Sequence, residues 1–309
     1  MTESSPQQIL EHCRAWSQRA ADLQRTARVK GAAPRAQHAS PLASICDDIE
    51  TAGHDTLGAV VAGLTVCLIQ RNNEFTGYGS DYRTVWAWCA ELLVGAGVGA
   101  PASTPRASGT VPADQEWTVG RLFAAAAHAV LALPVSGQVA GVDRNTRALA
   151  DDHAAITAYL AFPLLEQVLR ASCHRHFARG GRIVKPFDTP GQRANRHYYI
   201  EGGTCSSIGD LLWLFRHQYA PVQIGADLDA IDARLAAVVP GGSPDFRVLH
   251  PWRHDTMDSD IALPVMAAVA LNLAIVVALA GRVDDFGDAA AAARDAAARG
   301  EGRYYPLEA

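Results

Sequence analysis

Arg253, His254, Asp255 and Asp258 stand together in the stretch PWRHDTMDSD, immediately ahead of an apolar run that continues to Ala280. Such a set can do two kinds of chemistry. A permanently charged guanidinium can stabilise charge developing on a phosphate while an imidazole or a carboxylate takes or gives a proton. The same groups can instead close on one another as ion pairs, which would satisfy a buried arginine without any ligand. His254 is adjacent to Arg253, and neighbouring residues on a helix do not share a face, so His254 reaches the same cleft only if it turns toward it. Asp258 lies a little over one helical turn beyond the arginine, close enough to converge with it. An unperturbed carboxylate titrates near pH ~4, which makes it a poor proton donor at neutral pH.

A second group is cationic and aromatic. Arg175, Arg179, Arg182, Lys185, Arg193 and Arg196 face a single acid, Asp188, with Phe177, Phe187, Tyr198 and Tyr199 interleaved. Cations suit a phosphate backbone and exposed rings suit unpaired bases, so this is the candidate nucleic-acid-binding segment. The competing reading is a solvated loop or hairpin bridging two helices. Two further clusters point more weakly to metal. Asp151-Asp152-His153 has no second acidic cluster at matching spacing and reads as helix capping. Cys173 and His176 could share a helical face, but four-ligand zinc would have to recruit Cys205 or His197, and the adjacent arginines oppose a cation. The Gly-x-Gly-x-Gly beginning at Gly95 follows no predicted strand and does not read as a dinucleotide fingerprint. Neither a metal nor a cofactor is therefore expected.

The elements that must position these groups read as helices. Ile261 to Ala280 is apolar on every face, the pattern of a helix buried all round, and it reaches the roughly 20 residues that a bilayer span needs. Asn272 in mid-run, the aspartates just upstream and the sparse flanking aromatics favour burial in protein, leaving a membrane-embedded protein as the weaker alternative. Ser259 or Asp260 is placed to cap this helix, and Pro264 is tolerated in its opening turn. Asp151 and Asp152 begin a long helix running to about Phe177, with Ile156, Tyr159, Leu160, Pro163, Leu164, Gln167 and Val168 as its expected apolar face and a kink at Pro163. Ser207 and Asp210 are spaced like a capping box, ahead of a stripe formed by Ile208, Leu211, Leu212, Phe215 and Tyr219. Asp227 to Val239 is a shorter helix, and Val283 to Arg299 reads as a peripheral one. Nearer the start, Pro6 to Lys30, Pro41 to Gln70, Asp81 to Val94 and Glu116 to Leu133 repeat helical spacing, with Gly95 to Asp114 as a low-complexity connection.

The expected fold is thus all-α, a helical bundle around a central apolar helix. The expected divisions are 1–140, an N-terminal helical region; 141–283, the bundle; and 284–309, a peripheral helix and tail. With 309 residues, 49% hydrophobic and 19% charged, the chain has ample material for a core and does not have the composition of a disordered protein. A net charge of -5 exerts no global pull on nucleic acid or anionic lipid, so any such site must be a local patch. The six cysteines form no Cys-x-x-Cys and follow a polar, acidic N-terminal stretch, which reads as reduced thiols in a cytoplasmic protein.

Trp252-Arg253-His254-Asp255-Thr256-Met257-Asp258 resembles the arginine-to-histidine motif of the HEPN superfamily, all-helical domains that usually dimerise and often cut RNA or accompany nucleotide-handling partners. Asp258 occupies the place of the motif's histidine, and His254 that of its common asparagine. Tyr159 to Glu166 is similar to the preceding helix of such domains, in which an acidic residue faces the arginine. The resemblance covers about residues 150–283. It implies a homodimer with RNA or a partner protein, and it marks Arg253, His254, Asp258 and Glu166 as the site. With aspartate in place of histidine, the expectation is a nucleic-acid-associated or partner-binding protein that has lost ribonuclease activity, its arginine tied to Glu166 and to Asp255 or Asp258. The alternative is a metal-independent ribonuclease using Arg253 with His254 or Asp258, so whether the protein is an enzyme stays open at this stage.

Overall fold

The computed structural model describes residues 57–66, 69, 86, 89, 122, 125–126, 144–178, 180–191, 195–238, 245–254, 263–281 and 283–291, with 144–154, 254 and 263–264 described as backbone. Helix dominates this set. We label its elements α1 (Arg144–Ser172), β1 (Phe187–Pro190), β2 (Arg196–Tyr199), α2 (Ile208–Gln218), α3 (Val222–Val238), α4 (Leu249–His254) and α5 (Leu263–Ala280). Residues 57–66 and 286–291 are also helical. The strands pair as one antiparallel hairpin, so the described residues are mostly helical and not purely α.

The apolar run predicted to be central is α5. Its 18 residues pack most extensively against α1, and every side chain from Val265 to Leu279 is buried. Burial on all sides explains why no amphipathic pattern is legible there. Among the described residues no helix is long and apolar enough to cross a membrane. Asn272, the polar side chain in this stretch, is fully buried, and its Oδ1 accepts the indole N–H of Trp86 at 2.7 Å. It therefore ties the central helix to the N-terminal part of the chain and is not interchangeable with leucine. Leu57, Val61, Leu64, Trp86 and Ala126 share one core with α1 and α5, so buried contacts run across the boundary expected near residue 140. Gly58 permits part of this approach, because a Cβ there would lie 3.2 Å from the Ile224 side chain on α3.

The buried face of α1 matches the expected one in part. Leu164 and Val168 are buried and Leu160 packs against the core as expected, whereas Ile156, Tyr159 and Pro163 are exposed. Ala158, Ala161, Phe162, Leu165 and Leu169 complete the inward face, and the two alanines are positions that reading for bulky residues passes over. An exposed Pro163 costs less than a buried one, because water can reach the carbonyl of Tyr159 that loses its i+4 donor.

The segment after α1 forms the hairpin. Phe187 opposes Tyr199 in register, and their rings stack with centroids 4.7 Å apart; such aromatic pairs favour strand over helix. Gly191 closes the far end by donating to the Asn195 carbonyl at 2.6 Å, and a Cβ at Gly191 would stand only 2.7 Å from that oxygen. The chain then enters α2, where the Ser207 hydroxyl accepts the Asp210 N–H at 3.3 Å, as the capping spacing predicted. Ile208, Leu211, Leu212 and Phe215 are buried, and Tyr219 packs at the edge of the core. Between α3 and α4, Asp245 and Phe246 both adopt left-handed backbone, with φ of 65° and 55°. Two such residues in succession are costly without glycine. Asp232 offsets that cost by accepting both amide hydrogens at 2.8 Å, and Phe246 is buried in return.

Candidate functional site

Glu166 lies on the inner side of α1 and is nearly buried, which places a carboxylate where it must find cations. Two reach it. Arg170, one turn along the same helix, sets its Nη2 at 2.5 Å from Oε1, and Arg253 sets its Nη1 at 2.7 Å from Oε2. Each arginine also holds the chain ahead of α2: Arg170 donates to the Cys205 carbonyl at 2.7 Å and Arg253 to the Ser206 carbonyl at 2.8 Å. One carboxylate thus joins α1, α4 and the approach to α2. Arg253 stands on the six-residue α4 and not on the central helix itself, which begins at Leu263. The structure brings Arg253 and Glu166 together; Asp255 and Asp258 lie outside the described residues, as does the side chain of His254.

A second polar centre lies one layer away and was missed at the level of sequence beyond its helix cap. Asp210 is buried, and its carboxylate accepts from Thr189 Oγ1 at 2.6 Å, Tyr199 OH at 2.6 Å and His197 Nδ1 at 3.0 Å. Burial by itself would raise the Asp210 pKa, but the hydrogen bonds from Thr189, Tyr199 and His197 together leave it below the usual carboxylate range. An ionised carboxylate can only accept, so His197 donates through Nδ1 and turns its other nitrogen away from Asp210. Burial, then the bond to Asp210, raises the Tyr199 phenol and keeps it protonated. The network pins both hairpin strands to the first turn of α2.

That geometry fixes a pH dependence. A carboxyl whose folded pKa is depressed contributes stability above its unfolded value near ~4 and loses it as pH falls through the folded value. Native protein should therefore weaken steeply below about pH 4, whereas Asp210→Asn should be less stable at neutral pH and show a shallower acid limb. Urea midpoints across the acid range measure this, and parallel acid limbs in the two proteins would contradict it.

Cys173 and His176 are both buried after α1. Cys173 is buried and its thiol is pushed well up, first by burial and then by the neighbouring Cys205; burial likewise raises Cys205 to about 11. Neither thiol is poised as a thiolate. His176 makes edge-on contacts with Phe187 and Tyr219, and its Nδ1 lies 2.5 Å from the Tyr219 hydroxyl. Burial, Lys185 and Arg175 lower its pKa, in that order, which favours the neutral ring. Among the described residues, no group of three or more His, Cys, Asp or Glu side chains could hold a metal.

The cationic segment divides by environment. Arg175 donates to the Gln218 carbonyl at 3.0 Å and lies over the Tyr219 ring, 4.7 Å from its centroid. Arg196 pairs with Asp188. Arg182 and Lys185 are exposed and make no ion pair among the described residues, while Arg179 and Arg193 lie outside that set. Of the four interleaved rings, Phe177 and Phe187 belong to the core and Tyr199 is partly buried, so they cannot act as stacking platforms; Tyr198 is 73% exposed. Searches for relatives return no matching family model, no matching curated protein and no matching solved structure.

Proposed function

We propose that the protein is a HEPN-like helical module that associates with nucleic acid or a partner protein, and that its arginine centre holds structure and does not cleave RNA. The observation that carries this reading is the double engagement of Arg253 Nη1 by Glu166 and the Ser206 carbonyl. A guanidinium nitrogen committed to a nearly buried carboxylate and a backbone oxygen is not free to stabilise a phosphorane. Glu166 facing Arg253 across the helices is also the arrangement that the family resemblance implies. The exposed Arg182 and Lys185 supply cations for a polyanion, and the exposed Ile156 and Tyr159 on α1 supply apolar surface for a homodimer. Cytoplasmic residence belongs to the same proposal.

Asp258 completes the argument chemically, since a carboxylate in the place of histidine is ionised at neutral pH and has no proton to give a leaving group. Purified native protein should show no metal-independent cleavage of RNA in a chelator-containing assay. Asp258→His should yield at most weak cleavage, and that gain should disappear when Arg253→Ala is added. Native cleavage that is lost in a folded Arg253→Ala variant would overturn the structural reading and make Arg253 catalytic.

A further inference from the structure

We infer that the outer face of the hairpin, centred on Tyr198, is a platform for a single-stranded polynucleotide, an inference that rests on the nucleic-acid reading above and names its ligand class. Strand alternation separates the two faces of β2. His197 and Tyr199 turn toward Asp210, which leaves Arg196, Tyr198 and the following Ile200 on the opposite side. Tyr198 and Ile200 are 73% and 72% exposed, and Val184 is also open to solvent. These side chains are held there by a rigid frame. Phe187 stacks on Tyr199 beneath the strand, and Ile183 exchanges backbone hydrogen bonds with the chain at Gly202 and Gly203, both at 2.9 Å.

Arg182 borders this apolar surface. Its bridge to Thr204 sets it beside the chain that follows β2, exposed and without an ion pair among the described residues; Lys185 is a second exposed cation nearby in sequence, and Glu201 an exposed acid next to Ile200. The acid on the adjoining strand, Asp188, is engaged by Arg196. A cation bordering an exposed ring matches the repeating unit of a polynucleotide: the phosphate takes the charge and one base stacks on the phenol ring. Unpaired bases are required, because in a duplex the base faces are already stacked on one another and unavailable. A stacking contact of this kind tolerates any base, so binding should depend little on sequence.

The test is fluorescence anisotropy with labelled oligouridylate, oligothymidylate and an RNA duplex of equal length, each at low salt. Native protein should prefer the single strands to the duplex. Tyr198→Ala should weaken single-strand binding about tenfold, while Tyr198→Trp should preserve it because the larger ring still stacks. Arg182→Gln with Lys185→Gln should weaken binding to RNA and DNA single strands and flatten the salt dependence, each phosphate contact contributing a slope of about 0.7 in the logarithmic plot. Tyr198 is on the surface, so circular dichroism of the variants should match the native spectrum. Similar affinity for RNA and DNA is the expected outcome for recognition through phosphate and base alone. Single-strand binding that ignores Tyr198→Ala, or a preference for the duplex, would overturn the platform while leaving nucleic-acid association intact. No binding to any polynucleotide would overturn the platform together with the nucleic-acid branch of the proposed function, leaving partner-protein association, and Tyr198-dependent binding to phosphatidylserine vesicles in its place would reassign the face to a membrane surface.

Discussion

Ala274→Asp should abolish cooperative folding. Ala274 is fully buried in α5, between Leu273 and Ile275, in a helix whose side chains from Val265 to Leu279 are buried all round. A carboxylate introduced there loses its hydration and must either remain charged in an apolar interior or take up a proton at neutral pH, and even the neutral acid lacks a ready partner. Either route costs several kcal/mol, on the order of the whole margin of about 5–15 kcal/mol that holds a domain folded. Ala274→Gly should lose only about 1 kcal/mol and keep the fold, which separates the effect of charge from that of helix propensity. Soluble yield and near-ultraviolet circular dichroism report the outcome. A cooperative melt within a few degrees of native for Ala274→Asp would mean that α5 is not the dry centre of the protein.

The second large effect is expected at Glu166. Its two oxygens serve two different guanidinium groups, so Glu166→Gln removes the counter-charge of both at once. The replacement amide offers one acceptor and turns an NH2 group toward the other arginine, donor against donor. Breaking a buried ion pair typically costs about 3–5 kcal/mol; the arginine side chains are 16% and 26% exposed, so water recovers part of that and about 3 kcal/mol is expected. The loss should appear as a lower urea midpoint at neutral pH. An unchanged midpoint would show that the three charges are a surface decoration.

What was legible in the sequence is local. The central helix announced itself by a long apolar run broken by Asn272, and the start of α2 by Ser207 ahead of Ile208, because capping and periodicity involve residues a few positions apart. The pairing of Glu166 with Arg253 came only through the family resemblance, since no local spacing links residues so distant. Arg170 is different: it sits four residues after Glu166 on the same helix, a spacing that could have identified it as the second partner. The Asp210 network escaped because Thr189, His197 and Tyr199 meet the carboxylate only once the hairpin has folded back on α2. The same holds for Asp232, which captures two amides across the turn between helices. The aromatic segment misled in part: ring composition marked a possible stacking surface, yet only packing shows that Phe177 and Phe187 face the core and Tyr198 faces solvent.

The central claim, that Arg253 is committed to Glu166 as a structural clamp, is tested most directly by a double-mutant cycle. Glu166→Gln, Arg253→Gln and the combined variant would be compared with native protein by urea denaturation at neutral pH, with coincident fluorescence and circular dichroism transitions. The account predicts a coupling energy of about 1–3 kcal/mol, because Arg253→Gln should cost far less once Glu166 is lost, while Glu166→Gln in the absence of Arg253 should cost only what its bridge to Arg170 contributes. Strictly additive losses, with no coupling between the two positions, would contradict it and release Arg253 for another role.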